Sequence, residues 1–168
     1  MGAGRGPGAW ERNGTHVFTT VLMIEKALSE ADIELVTTLH GEEKTSFVVL
    51  MQPRGRQDEL LRALDDVALG RIEEAVHERD GESTAAPAGQ ALEHTLGQLR
   101  ASGSSAAGRV VADNPLDMLR TVVADTRADE VIVLTSPHFV EEFFHRDWAS
   151  RARHQVGVPV LKLFAHDV

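Results

Sequence analysis

The last third of the chain alternates helical and extended segments, and this pattern restricts the fold more than any other feature. Glu130–Thr135 is a nearly all-apolar strand, which a sheet covered on both faces requires. Predicted helices at Pro115–Arg127 and from Pro137 to about His154 separate it from the strands Arg109–Ala112 and Pro159–Phe164. Strands joined through helices form right-handed, parallel crossovers. We therefore predict a three-layer α/β/α sandwich with a mostly parallel, Rossmann-like sheet of about five strands.

The first third of the chain predicts a different arrangement. Apolar residues in Val17–Ala31 recur at the spacing of one helix face, which predicts a helix. Asp32–His40 and Thr45–Gln52 each have the composition of a strand, and only the short polar link Gly41–Lys44 separates them. A link of this length permits a hairpin but not a parallel crossover. We therefore expect an N-terminal antiparallel hairpin in the sheet.

The remaining segments divide into helices and loops. Asp58–Arg79 has an apolar helical stripe, whereas Asp80–Gly89 consists mostly of small residues and proline and predicts an exposed loop. A shorter helix follows, with one apolar face: Leu92, Leu96 and Leu99. Residues 1–16 are rich in glycine and poor in large apolar side chains, so we expect a flexible arm before a single domain over residues 17–168.

The composition excludes several classes of function. A chain of 168 residues is too short for a complete (β/α)₈ barrel, which needs roughly 250. The formal charge of −9 repels phosphate backbones and anionic membranes, so we expect neither a nucleic acid nor a membrane partner. Cysteine is absent, which excludes disulfides, zinc-thiolate sites and thiol nucleophiles. No signal-peptide pattern is present, and we expect a cytoplasmic protein.

Three segments carry a resemblance to a known family. In the first segment, Arg109–Leu119, the turn Asp113-Asn114-Pro115 lies between a predicted strand and a predicted helix. The second, Ala128–Ser136, contains an aspartate followed by an apolar strand. The third, Val158–Phe164, begins with the sequence Val-Pro-Val. In this order they resemble the C-terminal half of a universal stress protein domain, over roughly residues 88–165. The resemblance implies a Rossmann-like fold, an adenine nucleotide or small anion as ligand, and a homodimer formed through the C-terminal edge strand Pro159–Phe164.

Two features depart from the pattern of that family. Its nucleotide-binding members carry the motif Gly-x2-Gly-x9-Gly-Ser/Thr after the fourth strand, and the backbone amides of this motif cradle the ATP phosphates. The corresponding segment here, Thr135–Ser150, contains no glycine. The first strand of the family ends in an aspartate that touches the nucleotide, whereas a helix and a hairpin are predicted here. The chain therefore resembles a divergent member that lacks the ATP-binding glycine motif.

Candidate ligand-binding residues lie where the predicted strands end, because open α/β sheets bind ligands at the carboxyl ends of their strands. Helix capping alone accounts for Asp113, Asn114 and Ser136. The alternative is that they line a nucleotide-like pocket in which hydroxyls, His138 and a helix N-terminus hold a small anion. The full candidate set is Asp113, Asn114, Thr135, Ser136, His138, Arg146 and Arg151.

The two arginines of this set belong to a basic cluster in an otherwise acidic protein. Arg146, Arg151 and Arg153 lie close together in the sequence, beside His145 and His154. If the cluster faces the crevice, it replaces the missing glycine motif as a phosphate clamp. If it faces outward, it forms a dimer or solvent surface.

One predicted helix face carries residue types that bind divalent metals. At 100° per residue, His138, Glu141, Glu142 and His145 fall within an arc of about 100°. Glu142 and His145 repeat the Glu-x-x-His pair of carboxylate metal sites, although every amphipathic helix also has a polar face. A metal site on this face is therefore a minor alternative.

No pattern in the sequence demands catalysis. Neither a nucleophile elbow nor a Walker motif is present. We expect a non-enzymatic small-ligand-binding or stress-response regulatory protein that acts as a dimer. The alternative is a nucleotide- or phosphate-binding protein, or a hydrolase, with a noncanonical pocket.

Overall fold

Five parallel strands form one sheet in the described part of the chain, with helices on both faces. The computed structural model describes residues 17–53, 60–61, 63–64, 82–111, 114–135 and 148–166. In chain order the elements are β1 (Phe18–Ile24), α1 (Glu30–Thr38), β2 (Thr45–Met51), α2 (Glu82–Ala101), β3 (Ser105–Val110), α3 (Pro115–Thr126), β4 (Glu130–Thr135), α4 (Trp148–Val156) and β5 (Val160–Phe164). The strand order is β3-β2-β1-β4-β5, so the chain crosses from β3 to β4 over two intervening strands.

Two apolar clusters, one on each face of the sheet, hold the three layers together. In β1, Leu22 and Ile24 pack with α1 and α2, whereas Val21 and Met23 pack with α3, α4 and the helical residues near Leu61. β4 alternates in the same way, and all six of its residues are buried. This double burial explains why the central strands are continuous apolar runs. The predicted three-layer α/β/α architecture is confirmed.

The predicted arrangement of the N-terminal third is wrong. Residues 18–24 form a strand and not a helix, and residues 30–38 form a helix and not a strand. β1 and β2 are parallel, from the pair Phe18↔Thr45 to the pair Ile24↔Met51, so there is no antiparallel hairpin here. A strand buried on both faces has apolar residues at helical spacings as well as at alternate positions, and the periodicity of 17–31 therefore did not separate the two.

The predicted loop over residues 80–89 is also wrong, because α2 begins at Glu82. Packing outweighs local composition here: Ala88, Leu92 and Leu96 are buried against the sheet, although Pro87 lies inside the helix. β3 begins at Ser105, four residues before its predicted start at Arg109. β4 has its predicted bounds, and β2, α3 and β5 each differ by one residue at one end.

Three predictions fall wholly or largely outside the described residues. These are the N-terminal arm, most of the helix over residues 58–79 and the first half of the helix that begins at Pro137. In the described part of the chain, no helix is both long enough and apolar enough to cross a membrane.

Candidate ligand site at the carboxyl edge of the sheet

The connections of the sheet change direction between β1 and β4. From β1 the chain continues through α1, on one face, to β2, whereas from β4 it continues through α4, on the other face, to β5. Because the two connections leave in opposite directions, a crevice opens between the carboxyl ends of β1 and β4, and open α/β sheets bind their ligands at such a point. The topology therefore identifies this edge as the candidate site.

Thr135 is the last residue of β4 and lies at this edge. Its side chain is 1% exposed, and its Oγ1 has no hydrogen-bond partner within the described chain. Its backbone carbonyl accepts a hydrogen bond of 2.9 Å from the Ala165 amide at the end of β5. An unpaired buried hydroxyl costs about 1–3 kcal/mol. Thr135, a predicted ligand residue, is thus a buried polar group with no partner among the described residues.

Asn114 lies at the same edge, after β3, and starts α3 in an unusual backbone conformation. Its φ of 46° and ψ of 66° lie in the left-handed region, and its side chain makes no capping hydrogen bond to the helix. The capping interpretation therefore does not hold for Asn114, whereas Pro115 does occupy the first turn of the helix. The ends of β3 and β4 are separated by two strands, or roughly 14 Å at the usual spacing. Asn114 and Thr135 can share only a ligand that spans this distance.

Arg151 is half-buried on α4, on the face of the sheet that also carries α3. Its cluster neighbours Arg153 and His154 are exposed. The other predicted ligand residues lie outside the described residues: Asp113, Ser136, His138 and Arg146. The same holds for the remaining metal candidates Glu141, Glu142 and His145, and the described residues include no group of three side chains that could hold a metal ion.

Two residues at this edge were not among the predicted ligand residues. Glu25 directly follows β1 and is half-buried, and Gln52 directly follows β2 and is fully buried. The Gln52 amide donates a hydrogen bond of 2.7 Å to the carbonyl of Ile24, which extends the sheet ladder by one residue. The prediction of a helix and a hairpin where the family has its first strand is therefore wrong: β1 is present and an acidic residue follows it. The signal in the sequence was the apolar run of β1 ending at Glu25.

A buried carboxylate near the start of α1 was also missed. Ser29 caps this helix by accepting a hydrogen bond of 3.2 Å from the Asp32 amide. The side chain of Asp32 is 1% exposed, and its Oδ1 accepts hydrogen bonds from the backbone amide of His166, at 2.9 Å, and from the Nδ1 of that residue, at 2.7 Å. No pattern in the sequence relates residues 134 positions apart.

A groove of about 450 Å³ lies between α1 and α2. Glu30 and Glu34 contribute acidic side chains to its wall, together with Ile33, Thr37, Gln98, Ala101 and Ser102. Two carboxylates repel an anion. This groove is therefore a poor site for the phosphate-bearing ligands that the resemblance implies.

Comparison with solved structures identifies the fold. The hypothetical protein MJ0577, whose biochemical function was assigned from its structure, superposes with a TM-score of 0.53 at 12% identity, over 91% of this chain and 100% of that one. The chain has a universal stress protein-like fold. The five-stranded parallel sheet with helices on both faces, described above, is consistent with this fold.

Two further structures with the universal stress protein-like fold come from Archaeoglobus fulgidus. The universal stress protein of that organism gives a TM-score of 0.48 at 12% identity, over 90% of this chain and 97% of that one. Its complex with dAMP gives 0.46 at 13% identity, over 88% and 98%. No protein-family model matches the chain, and no curated protein matches it in sequence.

Proposed function

We propose that the chain is a small-ligand-binding protein that takes an adenine nucleotide, or another small phosphate-bearing ligand, at the carboxyl edge of its sheet. The observation that supports this most directly is the Oγ1 of Thr135, which is buried at the end of β4 and has no partner among the described residues. It lies at the edge where the connections of β1 and β4 leave in opposite directions. An adenine nucleotide is the ligand class implied by the resemblance of the sequence to universal stress proteins. The missing glycine motif means that side chains, more than loop amides, have to hold the phosphates.

The charge distribution is compatible with a small anion at this edge. The net charge of −9 argues against a long polyanion, which would contact much of the surface. A mononucleotide contacts only the edge itself, and Arg151, half-buried in the first turns of α4, is a proposed contact there. The proposed ligand residues remain Asp113, Asn114, Thr135, Ser136, His138, Arg146 and Arg151, together with Glu25 after β1. The predicted metal site of His138, Glu141, Glu142 and His145 is not part of this proposal.

We further propose that the protein acts by binding and as a homodimer, in the cytoplasm. Support for binding without catalysis comes from the lack of a nucleophile motif in the sequence. Support for the dimer comes from β5, which lies at the end of the strand order and carries Leu161 with 38% of its side chain exposed. An apolar edge strand is prone to pair with another chain.

Calorimetry and thermal shift with ATP, ADP, AMP and cyclic AMP test the binding proposal. The informative variant is Thr135→Val, which replaces the unpaired hydroxyl with a methyl group of similar size. We expect it to weaken nucleotide binding about five- to tenfold, through one lost hydrogen bond, and to raise the free energy of unfolding of the free protein by about 1 kcal/mol. The opposite signs of these two effects distinguish a ligand contact from general damage.

Thr121→Val is the matched control, because Thr121 is exposed on α3 and its hydroxyl donates only to the carbonyl of Asp117 in its own helix. The control should leave nucleotide affinity unchanged. If the wild-type protein gives neither heat nor a thermal shift with any of the four nucleotides, the proposal is wrong.

A further inference from the structure

The carboxyl edge holds a buried carboxylate that orients an exposed imidazole. The side chain of Asp32 is 1% exposed, whereas that of His166 is 56% exposed, so a buried side chain is hydrogen-bonded to one at the surface. Both the backbone amide and the ring Nδ1 of His166 donate to the same oxygen, Asp32 Oδ1, at 2.9 and 2.7 Å. Two hydrogen bonds to one acceptor fix the position of the residue and the orientation of its ring.

This arrangement fixes which ring nitrogen is available for other contacts. A carboxylate only accepts hydrogen bonds, so Nδ1 of His166 carries a proton. Nε2 is then the nitrogen left for a further contact, and in the protonated ring it is a donor. The buried Asp32 carboxylate supplies the counter-charge for that protonated ring, which is the role of the aspartate beside a histidine in many active sites.

The pair lies at the same edge of the sheet as the Thr135 hydroxyl. His166 follows Ala165, whose amide donates to the carbonyl of Thr135 at 2.9 Å. Asp32 lies in the first turn of α1, which begins just after the carboxyl end of β1. Two groups with unmet hydrogen-bonding capacity, Thr135 Oγ1 and Asp32 Oδ2, thus occur at one edge of the sheet, and neither has a partner among the described residues.

We propose that His166, positioned by Asp32, is a contact for the phosphate of the ligand and donates a hydrogen bond from Nε2 to a phosphate oxygen. A phosphate there would lie on the side of the ring opposite the Asp32 carboxylate, in the order carboxylate, imidazole, phosphate. The ring would supply a side-chain contact at an edge that lacks the glycine motif and where Glu25 adds negative charge. This inference rests on the proposed function and adds to it a residue and a positioning partner that the sequence did not indicate.

The test compares AMP with adenosine on the full chain, because only AMP carries the phosphate. His166→Ala removes the ring but keeps the backbone amide that donates to Asp32. The hydrogen bond between the end of β5 and α1 is therefore retained. We expect this variant to bind AMP at least tenfold more weakly, as expected when a hydrogen bond to a charged group is lost, with adenosine affinity unchanged. His94→Ala, which removes an exposed histidine of α2, is the matched control and should bind both ligands as the wild type does.

Two further measurements test the role of Asp32. In the wild type, ¹⁵N spectra of the histidine rings should show a protonated Nδ1 in His166 and a shift of its Nε2 resonance when AMP is added, but not when adenosine is added. Asp32→Asn keeps the shape of the side chain and removes its charge. It should weaken AMP binding, leave adenosine binding unchanged and alter the ring resonances of His166.

Each outcome decides between specific alternatives. Equal losses of AMP and adenosine affinity in His166→Ala would show that the ring supports the structure only, which overturns the inference. Unchanged AMP affinity in that variant would overturn the inference and leave the proposed function intact. If the wild type binds neither AMP nor adenosine nor any other nucleotide tested above, the proposed function fails and the inference fails with it.

Discussion

Gly108 in β3 occupies a position where no side chain fits. A Cβ atom placed there would lie 2.4 Å from the carbonyl oxygen of Val49 in β2 and 2.9 Å from a terminal methyl group of Leu92 in α2. Val49 is also the register partner of Gly108 in the parallel pair of strands. Leu92 can change its rotamer, but the carbonyl oxygen of Val49 cannot move without distorting its strand. The clash therefore has to be relieved by separating β2 from β3.

We expect Gly108→Ala to lower the free energy of unfolding by about 3 kcal/mol. Overpacking a well-packed site costs about 1–3 kcal/mol, and a clash with backbone lies at the upper end of that range. Urea unfolding, followed by circular dichroism and analysed by linear extrapolation, measures the change. A loss of this size is a large fraction of the stability of a domain, for which about 5–15 kcal/mol is usual.

Gly97→Ala is the matched control: it makes the same substitution in α2, the helix that packs on β3, at a position with free space. Gly97 is exposed on α2, and no neighbouring atom lies within 4 Å of the Cβ that alanine would add. Because alanine is the better helix former, this variant should gain about 0.5–1 kcal/mol. The packing of α2 on β2 and β3 would be refuted if Gly108→Ala were as stable as the wild type. A loss of stability in Gly97→Ala would argue against the helix itself.

Two further predictions concern the end of α3 and the edge of the sheet. Arg127 follows α3 in the left-handed conformation, with a φ of 50°, which glycine adopts at less cost than arginine. Arg127→Gly should therefore raise the free energy of unfolding by about 1 kcal/mol in the same urea experiment. A decrease would show that the left-handed backbone at Arg127 is not strained. Leu161→Lys on β5 should convert the proposed dimer to a monomer in sedimentation velocity, whereas Ala107→Lys on β3, the opposite edge strand, should not. A wild-type protein that stays monomeric at high concentration would exclude the dimer.

Whether the sequence predicts a segment correctly depends on how its apolar residues are spaced, and this spacing depends on which of its faces are buried. β4 was predicted with its observed bounds because the four residues Val131–Leu134 are all apolar and polar residues lie on both sides of them. β1 was missed because its apolar run, buried on both faces, also matches the spacing of a helix. α1 was missed because Ile33, Val36 and their apolar neighbours have no clear period, and the cap at Ser29 was the better signal. In each case the layer that covers the segment decides its structure, and that layer lies elsewhere in the sequence.

The same limit applies to the site. Thr135 and Asn114 could be predicted at the carboxyl edge because each follows a strand that the sequence reveals. The pair of Asp32 and His166 could not be predicted, since it requires knowing that α1 lies beside the end of β5. Local patterns predict where one strand ends. Only the order of the strands shows which ends are neighbours.

Among the described residues, the buried polar groups at the two edges of the sheet differ in whether they have hydrogen-bond partners. This difference supports placing the site at the carboxyl edge. At the amino edge, Glu130 Oε1 accepts hydrogen bonds from Thr20 Oγ1 at 3.0 Å and from the ring of His40 at 2.5 Å. Asp129 there accepts a hydrogen bond of 2.8 Å from the Thr19 amide.

At the carboxyl edge, by contrast, the hydroxyl of Thr135 and one oxygen of Asp32 have no partner in the part of the chain that the structure describes. Gln98 Oε1 also lacks one, but it lies in the groove between α1 and α2, so the contrast concerns the strand ends. Stability alone favours pairing every buried polar group, because each unpaired one costs about 1–3 kcal/mol. Among the described residues, the buried groups at the strand ends that lack a partner therefore lie at the edge where a ligand can offset their cost.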